Sequence, residues 1–203
     1  MLRASIPRLL ALAAGLLLIL AGLWHLERER TDLSITPLAV GSTPATVYQR
    51  VGGAKAPAVI IAHGFAGSRQ LMEAYALTLA QAGYVAVSFD FEGHGRNPTP
   101  MSGDVTRVDG TTQMLKREIG RVTDAVLALP GVDGRVALLG HSMASDIIVR
   151  RALDDPRIAA IARRLGAAVP FMRSRKCAIC LLRNRSYLAK FICPSLSVAC
   201  ERL

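Results

Sequence analysis

Hydrophobic and polar positions divide the chain into stretches of distinct period. Residues 9–24 are an unbroken run of apolar residues and glycine, preceded by Arg3 and Arg8 and followed by His25 and Leu26. From residue 33 the apolar runs become short. Residues 33–49 alternate around Gly41-Ser42-Thr43-Pro44, which predicts an antiparallel hairpin. Residues 58–62 and 85–89 are continuous apolar runs of strand length, the pattern of strands covered on both faces. Between them, residues 69–82 read as a helix, with Ser68 as its N-cap and Gly83 where a positive φ is wanted. Leu115, Ile119, Val122, Val126 and Leu129 form one helical stripe, opened by Thr111 or Thr112 and stopped by Pro130-Gly131. A third strand-like run, residues 135–139, leads through Gly140-His141-Ser142-Met143-Ala144 into a helix over 143–153. A hairpin followed by three β-loop-α units predicts an α/β domain over residues 33–161. Its sheet is mainly parallel, with helices on both faces.

The first run has a length between a secretory h-region and a short membrane span. No small-x-small cleavage pattern follows it, and Trp24 stands where an interfacial aromatic belongs. Residues 1–26 are therefore expected to be an uncleaved membrane anchor, a signal peptide being the alternative. The basic residues precede the span, which places the domain on the extracytoplasmic side, or secretes it if the leader is removed. Residues 27–32 form a charged linker.

Charge changes the picture only at the other end. The chain carries a formal net charge of +10, but residues 1–161 hold 16 Lys/Arg against 14 Asp/Glu. Residues 162–203 hold nine Lys/Arg, one acid (Glu201) and all four cysteines, Cys177, Cys180, Cys193 and Cys200. The basicity belongs to this tail, so the domain is not expected to bind nucleic acid. The cysteines do not read as a zinc site: the second pair is spaced wider than the first and no histidine accompanies them. They could form disulfides in an exported domain, and residues 187–199 could lie on a membrane surface.

Candidate chemistry centres on Ser142. A serine on a tight strand-to-helix turn has its hydroxyl held at the top of a sheet, and the residues two before and two after must be small. Gly140 and Ala144 satisfy this, with Ala in place of the more usual second Gly.

With His63-Gly64-Phe65, Asp90-Phe91-Glu92-Gly93-His94-Gly95 and Gly140-His141-Ser142-Met143-Ala144 in order, residues 33–161 resemble the α/β-hydrolase superfamily. The likeness is to its serine-hydrolase branch of lipases, esterases and S33-type peptidases. The resemblance implies hydrolysis of a carboxylic ester or amide through an acyl-enzyme on Ser142. It also implies an oxyanion hole from the backbone N–H groups of Phe65 and Met143, and no cofactor or metal. His63 and His94 would brace loops, His141 would line the pocket, and Asp90 with Glu92 would be structural.

In that family the order is Ser, then Asp or Glu, then His. All four histidines of this chain, at 25, 63, 94 and 141, precede Ser142. The later acids are Asp146, on the elbow helix, Asp154 and Asp155, in a helix-ending turn, and Glu201. The triad acid and base thus stay unassigned. The abrupt change after residue 161 is expected if the domain is truncated or read from a shifted frame there. The alternative to an enzyme is an inactive hydrolase-like protein, at most an interaction domain.

Overall fold

The structure, a computed structural model, describes residues 5–28, 30–102, 104, 107, 110–164 and 180–182. Cys177, Cys193, Cys200, Glu201 and the stretch 187–199 lie outside the described residues. The elements in chain order are α1 (Ser5–Arg28), β1 (Leu33–Val40), β2 (Thr43–Arg50), β3 (Ala56–Ala62), a 3-10 turn (Arg69–Met72), α2 (Glu73–Gln81), β4 (Val85–Phe89), α3 (Gly110–Leu127), β5 (Val132–His141), α4 (Ala144–Asp154), β6 (Ile158–Arg164) and β7 (Cys180–Leu182).

One sheet joins the strands in the order β1-β2-β4-β3-β5-β6-β7. The predicted hairpin forms, pairing Leu33 with Arg50 through Val40 with Thr43. β2 then pairs antiparallel to β4, while β4, β3, β5 and β6 run parallel. Beyond β6 lies β7, antiparallel to it over residues 160–162 and 180–182. An edge at β6 left without a partner would template pairing with another chain. β7 occupies that edge.

The continuous apolar strands are buried because both faces of the sheet are covered. On one face α3 and α4 place Leu115, Ile119, Val122, Val126, Ala144, Ile147 and Ile148 against Ala58, Ile60, Val87 and Leu138. On the other, Met72, Ala76 and Ala80 pack against Val59, Ile61, Ala86 and Ala137. Alternate residues of β3 thus serve different layers, as the period of two requires.

The helix expected over residues 69–82 begins instead as a 3-10 turn, and Ser68 makes no side-chain cap. Asp90, at the end of β4, takes the capping role: its Oδ1 accepts from the Arg69 amide at 2.6 Å. At the other end the prediction holds. Gly83 has φ 89°, and the Gly83 and Tyr84 amides donate back to the carbonyls of Ala80 and Leu79, a Schellman closure.

Candidate active site

β5 carries the chain straight to its turn. His141 is its last residue, Ser142 follows at φ 53°, and α4 begins at Ala144. A non-glycine residue in the left-handed region is strained and persists only where its surroundings hold it. Three contacts do so here. A methyl group at Gly140 would lie 2.6 Å from the Ala144 carbonyl oxygen, so strand and helix approach closer than any side chain permits. Ser145 then donates its hydroxyl to the Gly140 carbonyl at 2.9 Å and its amide to the Ser142 carbonyl at 2.9 Å. Ser142 itself is exposed. Its place just past β5, on the carboxyl edge of the parallel strands, is where open α/β sheets bind ligands.

The loop after β3 comes to the same point. A methyl group at Gly64 would lie 2.9 Å from Ser142 Cβ and 3.2 Å from His141 Nδ1. Gly64 opens a tight turn: its carbonyl accepts from the Gly67 amide at 3.0 Å, and Ala66 sits at φ 53°. The same carbonyl accepts from Nδ1 of the wholly buried His63 at 2.7 Å, while His63 Nε2 accepts from the Phe91 amide at 3.1 Å. The Phe91 amide can only donate, so Nε2 is unprotonated and Nδ1 carries the hydrogen. Both ring nitrogens are committed, and burial pulls the imidazole below its ordinary pKa. His63 is therefore a neutral brace. With Gly64 O pinned from two sides, the amide at the other end of that peptide plane, Phe65 N–H, points away from both. Among the described residues neither the Phe65 nor the Met143 amide donates to protein. The Phe65 ring is 74% exposed and meets His94 edge-on, centroids 5.8 Å apart.

The other motif residues are structural supports. Asp90 is wholly buried and accepts from the Arg69 guanidinium at 2.6 Å and the Arg96 amide at 3.0 Å. His94 Nδ1 bonds the Glu92 carbonyl at 3.0 Å, and Glu92 takes an ion pair from Arg121 at 2.7 Å. Asp146 lies on the outer face of α4, paired with Arg150. Asp155 is buried, and hydrogen bonds from Arg157, reinforced by Arg151, hold its carboxyl well below the usual range.

One residue of this framework went unread in the sequence. Glu118, on α3, is fully buried and accepts from Thr43 Oγ1 at 2.7 Å, the Glu92 amide at 2.9 Å and Asn97 Nδ2 at 3.2 Å. Desolvation raises its pKa. A signal existed: Glu118 stands on the same stripe as Leu115, Ile119 and Val122, where a solvated glutamate does not belong.

Known proteins share this framework. Residues 53–199 match the family model of serine aminopeptidase, S33. Among curated relatives, "Putative carbamate hydrolase RutD" of Variovorax paradoxus is 27% identical over 131 residues, 64% of this chain and 46% of its own length. Lipase 1 of Psychrobacter immobilis is 27% identical over 131 residues, again 64% of this chain and 38% of its own. The chain thus spans less than half the length of each. Among solved structures, a hypothetical protein of Pseudomonas aeruginosa superposes with a TM-score of 0.54 at 20% identity, covering 66% of this chain and 43% of that one. A CIB-like hydrolase of Thermoplasma acidophilum gives 0.51 at 17% identity, covering 64% and 61%. These structures share the fold. With the family model matching from the loop before β3 past β7, the chain belongs to the S33 serine aminopeptidase family of the α/β-hydrolase superfamily.

Proposed function

We propose that the chain is a membrane-anchored serine hydrolase that cleaves a carboxylic ester or amide, with Ser142 as nucleophile. Attack of Ser142 Oγ on the substrate carbonyl forms a tetrahedral intermediate, which expels the alcohol or amine and leaves an acyl-enzyme for water to hydrolyse. The developing oxyanion would be held by the amides of Phe65 and Met143; one such donor contributes about 3 kcal/mol in comparable sites. The observation that carries this reading is Ser142 at φ 53°, exposed, with Gly64 packed against it so closely that no side chain fits. α1 would anchor the domain in a membrane, with the domain on the extracytoplasmic side: residues 8–25 are long and apolar enough to span one.

A fluorophosphonate probe tests the serine. Labelling of the full chain that vanishes in Ser142→Ala supports it; folded protein that resists the probe refutes it. The second reading, an inactive hydrolase-like chain, is favoured by one specific observation. His63, which precedes the loop packed on Ser142, has both ring nitrogens engaged and is not free to take the serine proton. Absence of labelling would favour it.

A further inference from the structure

The way α1 joins the domain fixes more than attachment. The polypeptide leaves α1 at Arg28 and enters β1 at Leu33, and the described residues between, 30–32, are tied down. The Arg30 amide donates to the Glu27 carbonyl and the Leu33 amide to the Arg30 carbonyl, both at 3.0 Å. The Val51 amide donates to the Asp32 carbonyl at 3.1 Å, and the Arg30 guanidinium pairs with Glu73 of α2 at 2.9 Å. This is a fastened junction, not a free linker.

Its position in the sheet is set by register. Leu33 lies opposite Arg50, and β2 runs antiparallel to β4, with Ala45 against Phe89 and Tyr48 against Ala86. Leu33 and Arg50 therefore stand at the amino end of β4 and its parallel neighbours. Ser142 follows the carboxyl end of β5. The two points lie on opposite edges of the sheet. A seven-residue strand such as β3 separates those edges by roughly 20 Å.

α1 does not fold back over the domain: none of the span 8–25 is buried against it. In its last turns the Arg28 guanidinium lies 5.3 Å from the Trp24 ring, an aromatic–cation pair suited to a membrane–water boundary. The junction edge also carries exposed Lys55, Arg50, which donates to the Gln81 carbonyl, and the Glu73-paired Arg30, beside exposed Glu27 and Asp32; Val51 is 69% exposed there. Such a rim suits lipid headgroups.

Resting on the anchor and nucleophile proposed above, we infer that α1 holds the domain to the bilayer by the amino edge of its sheet, with Ser142 on the edge turned away. The acyl substrate then comes from the aqueous phase and not from the lipids of the membrane that carries the protein. The four residues between Arg28 and Leu33, five Cα steps in all, span at most about 18 Å, so the amino edge stays near the surface.

The test uses the full chain in phosphatidylcholine–phosphatidylglycerol vesicles that contain brominated lipid. Trp24 is the only tryptophan in the chain, so a Trp24→Phe background accepts one reporter at a time. Lys55→Trp reports on the amino edge and Arg96→Trp on the carboxyl-edge loop; both side chains are exposed. Quenching at least twofold stronger at position 55 is expected. Equal quenching at both positions in a chain that floats with the vesicles overturns the orientation alone, whereas a chain that does not float overturns the anchor and the orientation together. For the source of the acyl group, a water-soluble fluorophosphonate should label the vesicle-bound chain at least tenfold faster than a lipid-anchored one in the same bilayer. Equal rates overturn that half. No labelling by either refutes the serine, and with it the claim about substrate, while the quenching result still decides the orientation.

Discussion

Gly64 and Ser142 face each other with no room for one more carbon: a methyl group at Gly64 would sit 2.9 Å from Ser142 Cβ. The loop after β3 and the turn after β5 are thus packed backbone to side chain. Gly64→Ala must push the two apart. A displacement of the order of an ångström at a reacting centre costs on the order of 10²-fold in rate. We expect fluorophosphonate labelling of Gly64→Ala to slow by about that factor in protein that remains folded, with the thermal midpoint lowered by the overpacking. Labelling at the parent rate would mean that the loop takes no part in the reaction.

His63 gives the fold a pH dependence of definite sign. Its pKa is lowered first by burial, and Nε2 already accepts the Phe91 amide, so a proton there would set two donors face to face. The unfolded chain takes up that proton near the ordinary histidine value of about 6.5. Stability is therefore full above this value and declines as pH falls below it. Thermal midpoints between pH 5 and 7.5 should fall toward acid, with a shallower slope in His63→Gln. Parallel slopes would locate the effect elsewhere.

Glu118 joins α3 to the β1–β2 turn and to the loop after β4. Truncating it would leave the Thr43 hydroxyl, the Glu92 amide and the Asn97 side chain without their acceptor inside the protein. Glu118→Ala should cost about 3 kcal/mol, the toll of stranding buried donors. Chemical denaturation measures it, and a loss under about 1 kcal/mol would mean water reaches the site readily.

Asp155 should be the principal acid-labile contact at the far end of α4. Hydrogen bonds from Arg157 lower its pKa, so its contribution is complete above the unfolded carboxylate value near 4 and drains away as pH drops below that. Asp155→Asn, which keeps the shape and removes the charge, should lose about 3 kcal/mol at neutral pH. The loss should shrink below pH 4; a penalty independent of pH would contradict the ionic account.

The elements legible from sequence were those whose signal is local. Residues 58–62 and 85–89 read as buried strands because apolar runs of that length have few other uses, and Gly83 ended α2 for a reason contained in its own φ. The turn at Ser142 was legible because small neighbours are a steric demand of the turn itself. Supports that arrive from afar were not. Ser68 looked like a cap, yet Asp90, 21 residues beyond Arg69, supplies the acceptor, and no pattern near Arg69 announces it. The three partners of Glu118 come from three different elements, and only the misplaced charge on its stripe hinted at them.

Asp90 carries a practical consequence for anyone who re-engineers the protein. Its carboxylate clamps Arg69, behind the loop that holds Gly64 and Phe65, to the Arg96 amide in the loop after β4. A methyl group on Gly95 would clash with that carboxylate, so even the neighbouring chain is shaped around it. The two loops therefore form a single graftable module. Transplanting either into another scaffold without the aspartate and its glycine would deliver the right sequence in the wrong shape.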